Sequence, residues 1–228
     1  MSYTYASLMT AIAVEMEADT SDPNFVAIYP TFLDDAEQRL YRELDLLASI
    51  VTVTGSLAAN NRIFPLPTSS GHILVVDSVN VIDGSGTYHP LVAATKEGIN
   101  FLYPTNTAPS SPSYPKNFAR VDDINLMVGP AADQVYTVEV TATIRPTPLS
   151  AGNPTTYLTN YLSDLMFAAV MVSASGYMRE FGSQADDPKM AQSWESQYQE
   201  KLASAKSEEL RKSYVQALSA PPQGTQGA

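Results

Sequence analysis

The strongest constraint in this sequence is where its hydrophobic period changes. Apolar side chains recur at helical spacing up to about residue 48, alternate at strand spacing over about 49–147, and return to helical spacing beyond. A β region enclosed in the chain by two helical zones has few ways to bury all of its apolar surface. The simplest brings the helical zones together as one antiparallel bundle and leaves the strands as an insertion. The fold class expected is therefore α+β, with an inserted antiparallel β-sandwich-like subdomain. The divisions expected are 1–48 and 148–215 for the two parts of the bundle, 49–147 for the β subdomain and 216–228 for a flexible tail. At 228 residues about 70% of the unfolded surface is buried on folding, so such a fold needs no covalent staple.

Local signals agree with these zones. Leu8, Ile12 and Met16 share a side of a helix over residues 3–17. The stretch DPNFVAIYPTFLDDAEQRLYREL, residues 22–44, opens with Asp22 as N-cap and Pro23 at the first helical position. Pro30, followed by Thr31 and Asp34, then reads as a break and a second, weaker start. Beyond it Leu33, Ala36, Leu40, Leu44 and Leu47 form one stripe, with Glu37, Arg39 and Glu43 mostly off it.

In the middle zone VTVTG, HILVVDSVNVIDGSGTYHPLV, NFARVDDINLMV and VYTVEVTATIRP are rich in β-branched residues. DGSG at 83–86 and the Asp122–Asp123 pair read as turns, and TKEGINFLYP as a short helix. Pro104, Pro109, Pro112 and Pro115 make the next stretch a long extended loop, a length that in compact domains serves binding or movement. In the last zone one buried helix is expected from about 155 to 181. A second, capped by Asp187 and Pro188, carries Met190, Trp194, Tyr198 and Leu202 at i+4 steps to about 215.

Composition narrows the function. The net charge is −11. Residues 1–48 hold Glu15, Glu17, Asp19, Asp22, Asp34, Asp35, Glu37, Glu43 and Asp45 against Arg39 and Arg42 alone. Tight nucleic-acid binding needs a basic patch to release counterions, which this pattern excludes. Cysteine is absent, which rules out disulfides and thiolate metal sites. No basic leader precedes the first helix, and LMFAAVMV at 165–172 is far short of a membrane span, so the chain is expected to be soluble and cytoplasmic when made.

Only His72 and His89 are available as imidazole ligands, and no metal, cofactor or catalytic residue is expected. There is no nucleophile elbow or phosphate-cradling loop. The neighbouring acids at 34–35, 122–123, 186–187 and 208–209 point apart on a helix and suit caps, turns and solvated faces. The tyrosines are scattered among helices and strands and suit cores and interfaces. The chain reads as a non-enzyme. A carbohydrate- or receptor-binding β module of a phage tail or capsid is the alternative, and trimeric assembly or glycan binding would favour it.

Four segments together resemble the head-to-tail adaptors of tailed bacteriophages, also called connector, gatekeeper or tail-tubular proteins. The first is DPNF with Ala36, Glu37, Arg39, Leu40, Arg42, Glu43 and Leu44 in an A-E-x-R-L-x-R-E-L pattern. The others are FPLPTSSGHILVVDSVNV, the run from VYTVEVTATIRP through the following helix, and WESQYQEKLASAKSEELRKS. The chain departs from the family at YLSDLMFAA, where Ser163-Asp164 stands in place of a proline. The resemblance implies a ring, usually of twelve copies, under the portal vertex of the virion neck. Such a ring is assembled in the host cytoplasm, extends the DNA channel, joins portal to tail, and helps retain the genome until ejection. It implies as partners further copies, the portal and a tail or nozzle protein, with DNA passing through unread and no membrane involved. The contact residues it implies are Tyr103, Pro109, Pro112 and Tyr114 in the proline loop, and Tyr214, Gln216, Pro221 and Pro222 near the C-terminus.

Overall fold

The computed structural model describes residues 2–107, 113–178 and 188–219. The fold is α+β and divides into two compact units, one from Met1–Ala48 with Pro148–Ala228 and one from Ser49–Thr147. Among the described residues no helix is long and apolar enough to cross a membrane.

The first unit begins with α1 (Tyr5–Glu15), capped by Thr4, whose hydroxyl accepts from the Ser7 N–H. Leu8, Ile12 and Met16 are buried together, as their spacing requires. Helix α2 runs unbroken over Pro23–Glu43, with Asp22 accepting from the Asn24 N–H at its start. The break expected at Pro30 is therefore corrected: Pro30 lies inside α2. Its ring fixes a φ that suits a helix, and what it lacks is the donor to Val26. Pro30 and Val26 both lie on the exposed side, where water satisfies the freed carbonyl.

The single helix expected over 155–181 is also corrected. It forms α4 (Tyr157–Tyr161) and α5 (Ser163–Met178), separated at Leu162 (φ −121°, ψ 38°). The hydrogen bonds nevertheless run on, with the Leu162 N–H donating to Leu158 and the Met166 N–H to Leu162. The Ser163-Asp164 step thus opens α5, with Asp164 favourably placed in its first turn. Helix α5 is buried nearly all round, through Leu165, Met166, Ala168, Ala169, Val170, Met171 and Ala174. It packs against α1, α2, α4 and α6 (Pro188–Ser219). On α6, Tyr198 and Leu202 are buried and Trp194 is half-buried, in contact with the Phe167 ring. Each such apolar side chain contributes about 1.5–3 kcal/mol on burial. The expected cap Asp187 lies outside the described residues.

The second unit holds two four-stranded sheets. In the first, β1 (Ile50–Leu57) pairs with β8 (Tyr136–Arg145), which pairs with β3 (His72–Ile82), which pairs with β4 (Tyr88–Pro90), all antiparallel. The second runs β2 (Ile63–Pro65), β7 (Asn125–Gly129), β6 (Asn117–Arg120), β5 (Val92–Ala93). Here the expectation of an antiparallel subdomain is corrected at one place, because β5 and β6 are parallel. The chain between them, which includes the short helix α3 (Lys96–Leu102), supplies the crossover that parallel pairing requires. Val53, Val140 and Val79 stand opposite one another across β1, β8 and β3. They join Phe64, Leu126, Val128 and Phe118 of the second sheet in a single apolar cluster. The DGSG turn links β3 to β4, with Gly86 at φ 83°, a left-handed conformation that glycine adopts without strain.

Candidate functional site

The polar residues of the first unit form locks between elements distant in sequence. Arg39 of α2 donates from Nη1 and Nη2 to the two carboxylate oxygens of Glu195 on α6, at 2.8 and 2.6 Å. Its Nε donates to Glu43 at 2.9 Å, and its guanidinium lies 4.0 Å over the Tyr198 ring. The Tyr198 hydroxyl donates to the other oxygen of Glu43 at 3.0 Å. The forked bond from Arg39 holds Glu195 below the usual carboxylate range and raises Arg39 in turn. Burial first, then the bond to Glu43, raises the Tyr198 phenol. Every charge here has a partner, and the cluster fixes α2 against α6.

Two buried carboxylates hold the places where the chain leaves and re-enters this unit. Both oxygens of Glu37 accept from the Leu149 N–H, at 3.2 and 3.1 Å. Glu209 accepts from the Leu47 N–H at 3.2 Å and from Lys212 Nζ at 2.6 Å. Lys212 also donates to the Tyr157 hydroxyl at 3.0 Å and is raised, chiefly by Glu209. Glu37, expected off the apolar stripe of α2, is only 4% exposed. Burial pushes its carboxyl up to about 7, against the pull of the Leu149 N–H, with Asp34 adding to the rise. Its position was the available signal: it stands four residues after Leu33 and three before Leu40, hence on the buried face. Glu209 is buried and Glu208 lies on the surface, yet the expectation that they point apart is corrected: both carboxylates reach Lys212 Nζ, at 2.6 and 3.0 Å.

In the second unit His89 and Ser85 both converge on Asp83. His89 Nε2 lies 3.0 Å from Oδ2, and the Ser85 hydroxyl donates to Oδ1 at 2.6 Å. The bond from Ser85, then that from His89, lowers Asp83 well below the usual range. The hydroxyl meets the carboxylate rather than the imidazole, so the trio braces a turn and does not make a nucleophile. His72 pairs with Asp123 at 3.0 Å. Among the described residues no group of three or more His, Asp or Glu is placed to hold a metal ion.

Arg62, which sequence reasoning passed over, is buried at the foot of the proline loop. It donates to the side-chain oxygens of Asn106 and Asn100 at 3.2 and 3.1 Å, and to the Val128 carbonyl at 3.4 Å. These bonds tie the start of the loop to α3 and β7.

Of the contact residues expected, Tyr103 is half-buried beside Ile99, with its hydroxyl donating to Asn117 at 3.5 Å. Tyr114 is stacked on His89 at 3.9 Å between ring centres. Tyr214 is 67% exposed on α6, one turn beyond exposed Leu210, and Gln216 is on the same helix. Pro109, Pro112, Pro221 and Pro222 lie outside the described residues. The two loop tyrosines thus have partners within their own unit, whereas Tyr214 faces outward. A groove of about 410 Å³ between α6 and the start of α5 is lined by Tyr161, Leu165, Lys201 and Glu208.

Residues 3–221 match the family described as SU10 adaptor protein, and the chain belongs to that family. No curated protein matches it.

Proposed function

We propose that this member of an adaptor family is a structural, non-enzymatic component of the neck of a tailed phage. On this reading it forms a ring, of twelve copies, beneath the portal, extends the DNA channel, and joins portal to tail. The ring retains the packaged genome until ejection and is assembled in the host cytoplasm. The observation that carries the reading is the family match over nearly the whole chain. The chemistry supports it: the polar clusters described above are locks, and the acidic composition suits a channel wall. A dozen copies at −11 each carry about −130 per ring, and a lumen of that sign lets a polyanion slide.

In this reading the helices of the first unit pack as an antiparallel bundle and the two sheets as a sandwich inserted into it. The proline loop with Tyr103, Pro109, Pro112 and Tyr114, and the C-terminal residues Tyr214, Gln216, Pro221 and Pro222, contact the portal or the tail protein. Electron microscopy of the protein mixed with portal rings tests this. The expected result is a second ring on the portal. Portal rings that stay bare at every protein concentration would overturn it.

A further inference from the structure

The strand order gives the second unit two opposite flanks. One is formed by β1 and β2, each at the end of its sheet. The two edges adjoin, since Gly55 of β1 lies so close against the Phe64 ring that a Cβ there would sit 2.8 Å from it. The opposite flank is formed by β4 and β5, again the end strands. A single residue, Leu91, carries the chain from one sheet to the other. Its N–H donates to Val79 in the first sheet, and that of Val92 donates to Lys116 beside the second.

Both flanks display apolar side chains at their rims. On one side Ile50 and Ile63 are 45% and 36% exposed; on the other Tyr88 and Val92 are 56% and 66% exposed. None of these four strands contains an Asp, Glu, Lys or Arg. Protection against edge pairing is unequal. β2 ends in Pro65, β4 ends in Pro90, and β5 has two residues. β1 runs for eight residues, IVTVTGSL, without proline or charge, and its register with β8 has no bulge. Among the described residues no backbone group of β1 bonds to anything but β8. A protein of charge −11 meets its own copy with least repulsion along strands that carry no acid of their own. A contact that joins two different flanks is head-to-tail, and such contacts close into a ring when the rotation per copy divides a full turn.

We propose that the β1/β2 flank of one copy docks on the β4/β5 flank of the next, with Ile50 and Ile63 against Tyr88 and Val92. The occupant of each flank is thus a second copy of this chain. The proposal rests on the ring reading above and names the surface that would build the ring.

The natural absence of cysteine makes the test direct. Three full-length variants, Ile50→Cys, Val92→Cys and the double variant, are mixed with portal rings and treated with a short bis-maleimide. Head-to-tail docking gives a ladder of trimers, tetramers and larger species in the double variant, and monomers in either single variant. Dimers from Ile50→Cys alone mean that β1 pairs with itself, and overturn the proposal. Rings seen by electron microscopy with no ladder place the contact elsewhere; they overturn the proposal and leave the ring reading standing. Absence of rings overturns both. A fourth variant, Val92→Glu, is expected to lower the ring fraction about tenfold while leaving the thermal melt unchanged. An undiminished ring fraction in that variant also counts against the proposal.

Discussion

Glu37 offers a measurement whose sign and size both follow from its surroundings. Its carboxyl is raised from the ordinary 4.5 to about 7, first by burial and then, against the Leu149 N–H, by Asp34. The folded state therefore prefers the protonated form more than the unfolded state does. Above pH 7 both states are ionised and folding bears the full penalty, about 3 kcal/mol for a shift of this size. As the pH falls through 7 the folded state takes up the proton and stability rises. The gain ends near pH 4.5, where the unfolded chain protonates as well. Glu37→Gln keeps an acceptor for Leu149 and removes the titration. The variant should therefore exceed the wild type in stability at pH 8, and its lead should shrink by about 2.5 kcal/mol between pH 8 and pH 5. Trp194, the sole tryptophan, packs against the core of the same unit. Its fluorescence during urea unfolding thus reports the right transition, and neighbouring Glu195 titrates in both proteins and cancels. A lead that stays constant across this range would show that Glu37 does not carry the proton, and the reasoning from burial would fail.

Three further outcomes can be checked by the same unfolding assay or its near relatives. A double-mutant cycle on Arg39→Ala and Glu195→Ala should give a coupling of about 1–2 kcal/mol, because the pair is forked and half-shielded rather than loose on the surface; a value near zero would make it an ordinary surface pair. Leu40→Ala, at a fully buried position, should cost about 2–5 kcal/mol and shift the urea midpoint without changing the slope; an unchanged midpoint would contradict the packing. In Gly129→Ala the new methyl would sit 2.6 Å from Ile99 and 2.7 Å from Tyr103, so the second unit should lose about 1–3 kcal/mol, read by near-ultraviolet circular dichroism on melting; an unchanged melt would mean that α3 can retreat freely.

Much of the fold was legible because apolar spacing is a local property. The stripe of α2, the alternation along β8 and the DGSG turn each follow from neighbours a few residues away. The failures share a physical cause. Pro30 reads as a break because proline removes a donor, yet on an exposed face water replaces what is lost. Leu162 interrupts a helix without proline or glycine. The strands β2 and β5 have three and two residues, too few to show a period. Parallel pairing of β5 and β6 depends on where a crossover lands, which no short window contains. For the site, composition correctly suggested caps, turns and surface for most acids. It missed Glu37, Glu209 and Arg62, because burial of a charge is decided by backbone groups far along the chain. Leu149 lies over a hundred positions from the carboxylate that holds it.

The divided origin of the first unit also sets an order of events during synthesis. The second unit is continuous in sequence and can complete its core as soon as Thr147 clears the ribosome. Helices α1 and α2, although translated first, have no α5 to cover them until the chain has grown past it. At about 5–20 residues per second the nascent protein passes several seconds with Leu33, Leu40 and Phe32 unshielded. During that interval a chaperone would protect the nascent chain from aggregation.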